Sequence, residues 1–185
     1  MSLAIVYTRA ALGIEAPLIT VEVHLSNGLP GLTMVGLPET TVKEARDRVR
    51  SALINSGYAF PAKKITINLA PADLPKEGGR YDLPIALALL VASEQLNTTR
   101  LNQYEFVGEL ALTGGLRGVP GAIPSAMEAI KAGRRIVVSS DNAAEVGLIG
   151  GSDCLVADHL QEVCAFLAGQ TSLSPPLAEA PARDE

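Results

Sequence analysis

The sequence predicts an α/β domain with a mixed sheet, and three observations lead to this fold class. In the second half, short apolar runs alternate with amphipathic stretches, which is typical of packed sheet and helix layers. A period-two pattern over residues 19–25 reaches a turn at 26–28, and residues 32–35 are expected to return as its hairpin partner. A second hairpin, formed by 106–112 and 116–119, is expected around 113–115. Two hairpins exclude a purely parallel sheet.

The other elements of the first half follow from local patterns. Residues 4–8 are expected to form the first strand, and a helix is expected over 41–55, where Gly57 ends it. The apolar residues of this helix form one stripe, so its charged residues are expected on a solvated outer face. Two i,i+4 spacings on that face predict weak ion pairs, namely Lys43 with Asp47 and Glu44 with Arg48.

The stretch 65–93 is the centre of the chain. A buried strand is expected over 65–69, then a loop over 70–81, then a helix opened by Asp82 as its N-cap. Residues 83–92 are apolar on every face, which predicts a helix covered on all sides.

The polar loop before this helix supplies the candidate site, an anion or subunit contact formed by Lys76, Gly78, Gly79 and Arg80. Glycines let a ligand approach the backbone, and the helix N-terminus behind them favours an anion. An arginine with free N–H groups suits a phosphate or a neighbour's carboxylate. The alternative is structural: Arg80 pairs with a local carboxylate, such as Glu77 or Asp82, and locks the loop.

The last third is expected to contain two more helices and two more strands, besides a short helix near 143–146. The first helix carries an apolar stripe and ends at Gly133, and the last helix is capped by Asp158 and runs to about residue 167. Strands are expected at 136–138 and 154–156. The predicted stripe of the first helix is Ile123, Met127 and Ile130.

Composition limits the class of protein. The chain has 185 residues, 48% of them hydrophobic, and a net charge of −5, which argues against a surface that binds nucleic acid everywhere. Residues 43–80 hold eight basic and four acidic residues, or +4, so a local basic face is possible. Cys154 and Cys164 lack metal-ligand spacing and are expected to be reduced thiols, and His24 is expected to be solvated. With no signal peptide and no apolar run of about 20 residues, the expected location is the cytoplasm, without membrane contact.

Three ordered blocks carry a resemblance to a known family. They are VHLSNGLP at 23–30, the stretch from VGLPE at 35–39 to KEARDRVR at 43–50, and NLAPADLPKEGGRYDLPIAL at 68–87. The chain resembles the N-terminal domain of the ComM/YifB family, bacterial AAA+ ATPases related to magnesium chelatase subunit I. The resemblance covers residues 1–169 and implies a two-layer mixed-sheet fold like domain two of ribosomal protein S five and the Lon protease domain. Residues 170–185, rich in proline, serine and acid, are expected to be a flexible linker towards an absent AAA+ module.

The resemblance also implies a function for the whole protein. It would be a hexameric, ATP-driven motor that acts on branched DNA during natural transformation. The present domain would be a non-catalytic accessory whose partners are its own AAA+ module, neighbouring subunits and DNA. The chain has no GxxxxGKS/T motif, so no cofactor is expected here, and ATP and Mg are expected in the missing module.

Two other classes stay open at this point. The Lon protease domain uses a Ser/Lys dyad, but Arg80 stands where its serine would be, and the segment 121–125 lacks the partner lysine. Ser93 and Ser125 are the remaining nominees for a nucleophile, and both are expected to be structural. An RNA-binding module is the third class, supported by fold analogy alone and without visible aromatic pairs for base stacking.

Overall fold

The computed structural model describes residues 2–74, 76, 78–149 and 151–176. Nine strands and five α-helices occur in these residues, together with three short 3₁₀ turns. Their order is β1 (Leu3–Arg9), β2 (Leu18–Ser26), β3 (Gly31–Val35), α1 (Glu39–Asn55), β4 (Lys64–Ala70), α2 (Asp82–Ala92), β5 (Tyr104–Phe106), β6 (Glu109–Leu110), β7 (Leu116–Arg117), α3 (Ala122–Lys131), β8 (Arg135–Ser139), α4 (Ala143–Val146), β9 (Cys154–Ala157) and α5 (Leu160–Leu167).

The predicted α/β class with a mixed sheet is confirmed. Seven strands form one sheet in the order β3-β4-β2-β1-β5-β8-β9. β2 is antiparallel to both its neighbours, and the other strands run parallel to one another. The carboxyl ends of six strands therefore meet at one edge of the sheet, which we call the upper edge. The predicted second hairpin exists as β6 and β7, which form a separate two-stranded sheet.

The predicted first hairpin is wrong. β3 does not pair with β2, because β4 lies between them, antiparallel to β2 and parallel to β3. The inward residues of β4, Ile65, Ile67 and Leu69, are almost fully buried, so this strand takes a central place in the sheet. The turn after β2 carries the chain past one strand width and leaves β3 at the sheet edge.

The helices cover the sheet unequally. α2 is buried on nearly every face, as its sequence predicts, and packs against β1, β2 and α1. Residues of β4 and α5 belong to the same apolar cluster. α3 and α4 pack on the opposite face over β8, since Ile136 and Val138 belong to their apolar cluster and Val137 to the main one. No helix in the described part of the chain is long and apolar enough to cross a membrane.

Three local predictions are wrong. The inner face of α3 is built of small residues, Ala122, Ser125, Ala126 and Ala129, whereas Met127 from the predicted stripe is 47% exposed. α5 is capped by His159, whose Nδ1 accepts from the Gln161 backbone N–H, while Asp158 accepts from Ser140 instead. The Asp82 side chain does not cap α2 and has other partners, described below.

The end of the described chain lies against the sheet edge. The N–H of Val156, in the edge strand β9, donates to the Ser174 carbonyl at 3.0 Å. The remainder of the predicted linker, residues 177–185, lies outside the described residues. Both cysteines are unpaired and buried.

Candidate functional site

The predicted site lies in the loop between β4 and α2, at the upper edge of the sheet. The Gly108 N–H, just after β5, donates to the Arg80 carbonyl at 3.1 Å, and the Leu83 N–H donates to the Gly108 carbonyl at 3.1 Å. These two bonds tie the end of the loop to the strand beside it. As a result, the direction of the Arg80 side chain is fixed by backbone contacts.

Arg80 points into the protein and not towards solvent, with only 4% of the residue exposed. Its Nε donates to the Arg9 carbonyl at 2.9 Å, Nη1 to the Pro120 carbonyl at 2.6 Å, and Nη2 to Ser125 Oγ at 2.8 Å. All three partners are neutral. Burial lowers the pKa of the guanidinium, but an arginine side chain stays protonated at neutral pH in proteins. Arg80 therefore links β1, its own loop and α3 through one buried cation.

The other predicted site residues do not join Arg80 in an open cradle. Lys76 is also buried; its Nζ donates to the Leu74 carbonyl at 3.0 Å, and desolvation lowers its pKa. Gly78 is exposed with φ 79°, a left-handed conformation that suits glycine. A Cβ at Gly79 would lie 2.7 Å from the Glu109 carboxyl group, so an acidic side chain already faces this glycine. The anion role of this loop stays a prediction.

One alternative expected Arg80 to pair with Glu77 or Asp82. Arg80 does not pair with Asp82, and Glu77 lies outside the described residues. The partner of Asp82 is Arg48 of α1, whose Nε and Nη2 donate to the carboxylate at 2.6 and 3.2 Å. The Leu110 N–H donates to the same carboxylate at 3.1 Å. Burial raises the pKa of Asp82 to about 6, against the opposing effect of Arg48. This cluster joins α1, α2 and β6. The prediction that Arg48 lies on the outer face of its helix, paired with Glu44, is therefore wrong.

A second ionic cluster escaped the sequence analysis. Glu105 of β5 is fully buried and accepts from Arg9 at 2.7 and 2.8 Å and from Arg134 at 3.0 Å. The Arg134 guanidinium lies 4.2 Å from the centroid of the Tyr7 ring, within cation–π range. The register of β1 and β5, which pairs Tyr7 with Glu105, brings these groups together. Only the apolar context of Glu105 in the sequence could have indicated its burial.

The geometry around Ser125 bears on the peptidase alternative. A guanidinium is a donor only and cannot accept the proton of a serine, so the Arg80 contact does not activate Ser125 Oγ. Ser93 donates to the Leu89 carbonyl of its own helix at 2.7 Å. In the described residues, neither hydroxyl is hydrogen-bonded to a side chain that could act as its general base.

Known proteins resemble this chain over nearly all of its length. A family model described as subunit ChlI of Mg-chelatase matches residues 21–142. The chain belongs to this Mg-chelatase subunit family. It is 78% identical over 179 residues to the uncharacterized protein YifB of Salmonella typhimurium, covering 97% of this chain and 35% of that protein. It is 60% identical over 178 residues to competence protein ComM of Haemophilus influenzae, covering 96% and 35%. The chain thus spans about a third of the length of these curated relatives.

The glycine pair 78–79 does not belong to a phosphate-binding loop of the GxxxxGKS/T type. A phosphate-binding loop needs a lysine followed by a hydroxyl residue after its glycines. Here the glycine pair 78–79 is followed by Arg80, which turns into the core, and by Tyr81, which is buried. Among the described residues, no group of three histidine, cysteine, aspartate or glutamate side chains could hold a metal ion.

Proposed function

We propose that this chain is the non-catalytic N-terminal accessory domain of a ComM-like AAA+ ATPase of the Mg-chelatase family. The whole protein would be a hexameric, ATP-driven motor for DNA branch migration in natural transformation. The observation that carries the non-catalytic role is the bond between Arg80 and Ser125. By the resemblance to the Lon protease domain, Arg80 stands at the position of the reactive serine, and its guanidinium donates to the Ser125 hydroxyl, which supports a role without peptidase chemistry.

The relationship to competence protein ComM supports the assignment to DNA processing, since the alignment covers 96% of this chain at 60% identity. The exposed basic residues also support contact with DNA. Of the basic residues in 43–80, Lys43, Arg50, Lys63 and Lys64 are exposed, while Lys76 and Arg80 are buried. A few exposed cations suit transient contact with a DNA backbone better than tight binding. The motor activity, with its ATP and Mg, would reside outside this chain.

Branch migration by the full-length protein tests this function. A synthetic four-way junction would be the substrate, with ATP hydrolysis measured in parallel. We expect deletion of residues 1–169 to reduce branch migration strongly while nucleotide binding by the rest of the protein persists. The matched variant, Ser125→Ala, removes the hydroxyl alone and should leave branch migration intact.

Two results would overturn the proposal. One is full branch migration by the deletion protein, which would remove any accessory role. The other is cleavage of casein by the 185-residue chain that Ser125→Ala abolishes. DNA anisotropy with the same chain at increasing salt would show whether it contributes contacts itself, and steep salt dependence would identify phosphate binding.

A further inference from the structure

A rigid apolar projection stands at the upper edge of the sheet, in the turn between β1 and β2. Ile14 is 91% exposed at its tip, and Leu12 is 37% exposed beside it. Gly13 adopts φ 63°, and the backbones of Leu12 and Glu15 exchange two hydrogen bonds of 3.0 Å. We call residues 12–15 the upper turn.

The upper turn is held from below by buried contacts. The Ala10 N–H donates to the Pro17 carbonyl at 3.0 Å. Arg9 Nη1 donates to the Ala16 carbonyl at 3.1 Å, and Arg9 itself is fixed by the buried Glu105. An isoleucine on such a support loses little conformational entropy when it binds, which is the property of an interface anchor.

A groove lies at the other end of the same sheet, with a volume of about 850 Å³. Ala59, Pro61, Ala62 and Ala92 give it apolar walls. Lys63 and His24 line it as well, and both are exposed. Glu94 also lines the groove and has a polar interaction of its own. We call this site the lower groove.

The two surfaces are complementary in chemistry and face opposite ways. Ile14 matches the small apolar walls, and the exposed Glu15 carboxylate matches the Lys63 ammonium in charge. They are separated by the length of β2, whose nine residues span about 26 Å from the first Cα to the last at roughly 3.3 Å per step. One molecule therefore cannot fill its own groove with its own turn.

We propose that the upper turn of one copy of this chain docks in the lower groove of a second copy. Unlike surfaces meet in this contact, so each copy keeps one free turn or groove for a further neighbour. Such head-to-tail contacts close into a ring when the rotation between copies allows it. This inference goes beyond the accessory role proposed above and does not depend on DNA, ATP or a motor module.

Sedimentation equilibrium of the 185-residue chain over a wide concentration range tests the contact. The wild-type chain should show a mass that rises with concentration past twice the monomer mass of 19.3 kDa. Ile14→Asp, which places a charge on the anchor, and Ala62→Trp, which fills the groove, should each weaken association at least about tenfold. Both positions are exposed, so both variants should fold, as circular dichroism would verify.

The decisive sample is an equimolar mixture of the two variants. Each retains one intact half of the contact, so the mixture should form a dimer and nothing larger. Leu148→Asp is the matched control, because Leu148 is 79% exposed but outside both surfaces, and it should associate like the wild type. A wild-type chain that stays monomeric, or a mixture that stays monomeric, would overturn the proposal. A dimer that Ile14→Asp abolishes and the mixture does not restore would indicate a symmetric contact and would overturn it too.

Discussion

Two buried arginines at the upper edge of the sheet are stabilised in opposite ways. Arg9 donates two short hydrogen bonds to the Glu105 carboxylate, so its charge is balanced inside the protein. Arg80 donates three hydrogen bonds, all to neutral oxygens, one of them the carbonyl of Arg9 itself. The two residues are similarly buried, at 6% and 4% exposure, so the difference lies in their partners.

This difference separates two physical roles. An ion pair in the core is strongly destabilised when one partner is removed, because the other charge remains buried and unpaired. When a cation held by dipoles is removed, only neutral acceptors are left unpaired, and this lowers the free energy of unfolding by less than an unpaired buried charge does. The Arg9 cluster should therefore dominate stability, and Arg80 should mainly fix the geometry of its loop.

The largest effect is expected for Glu105→Gln. The substitution keeps the shape of the side chain but leaves two arginines without their carboxylate. We expect the free energy of unfolding, measured by urea denaturation, to fall by about 3–5 kcal/mol. Glu128→Gln is the matched control, since Glu128 pairs with Lys131 at the surface at 3.4 Å and its loss should change stability by less than about 1 kcal/mol. Equal losses in the two variants would contradict the comparison.

Asp82 is a third case, a buried carboxylate whose partner, Arg48, is partly exposed. Its folded pKa of about 6 lies above the ordinary value of 3.8, so the folded state binds this proton more tightly than the unfolded chain does. The contribution of Asp82 to the free energy of unfolding is therefore fully present below about pH 4 and is lost as the pH rises through 6. The loss amounts to up to about 3 kcal/mol.

Asp82→Asn removes this titration. Urea denaturation between pH 4 and 7 should show a flatter pH dependence for the variant than for the wild type. The matched control is Asp47→Asn, because Asp47 is exposed beside Arg46 at 3.7 Å, and its profile should run parallel to that of the wild type. Parallel profiles for Asp82→Asn and the wild type would show that Asp82 titrates alike in the folded and unfolded states.

The parts of the fold that were predictable depend on local pattern. α2 was predictable because no polar residue interrupts its apolar run, and α1 because its stripe is regular. The place of β3 was not predictable, since the insertion of β4 beside β2 depends on contacts over some 40 residues of chain. The inner face of α3 was missed because alanine and serine carry little hydrophobic signal, although their small size lets the helix lie close to the sheet.

The candidate site was predictable in composition but not in geometry. The residues Lys76, Gly78, Gly79 and Arg80 lie in the predicted loop, but the loop folds Arg80 inward. The Arg48–Asp82 pair joins residues 34 positions apart, and Arg9 and Glu105 are 96 apart. Helical spacing rules indicate only neighbours on one helix, so such pairs are invisible without the register of the sheet.

Arg80→Met should have a smaller effect than Glu105→Gln or Asp82→Asn. Methionine fills a comparable apolar volume and removes a desolvated charge. It also leaves three neutral acceptors without their donor, two of which are the carbonyls of Arg9 and Pro120. We expect the free energy of unfolding to fall by about 1–3 kcal/mol, less than for Glu105→Gln. Thermal or urea denaturation measures this directly, and Arg46→Met, at a half-exposed position, gives the baseline for losing an arginine.

A companion variant identifies how Arg80 is held. Ser125→Ala removes the hydroxyl that accepts from Nη2 and leaves the guanidinium with its two carbonyl partners. If the dipoles hold the charge, this variant should lose roughly 1 kcal/mol or more, whereas Ser93→Ala, whose hydroxyl donates to its own helix, should lose less. The loss should also disappear in the Arg80→Met background, because no charge remains to be stabilised. A loss of equal size in both backgrounds would mean that Ser125 serves packing alone, and Arg80 would then rest on backbone carbonyls only.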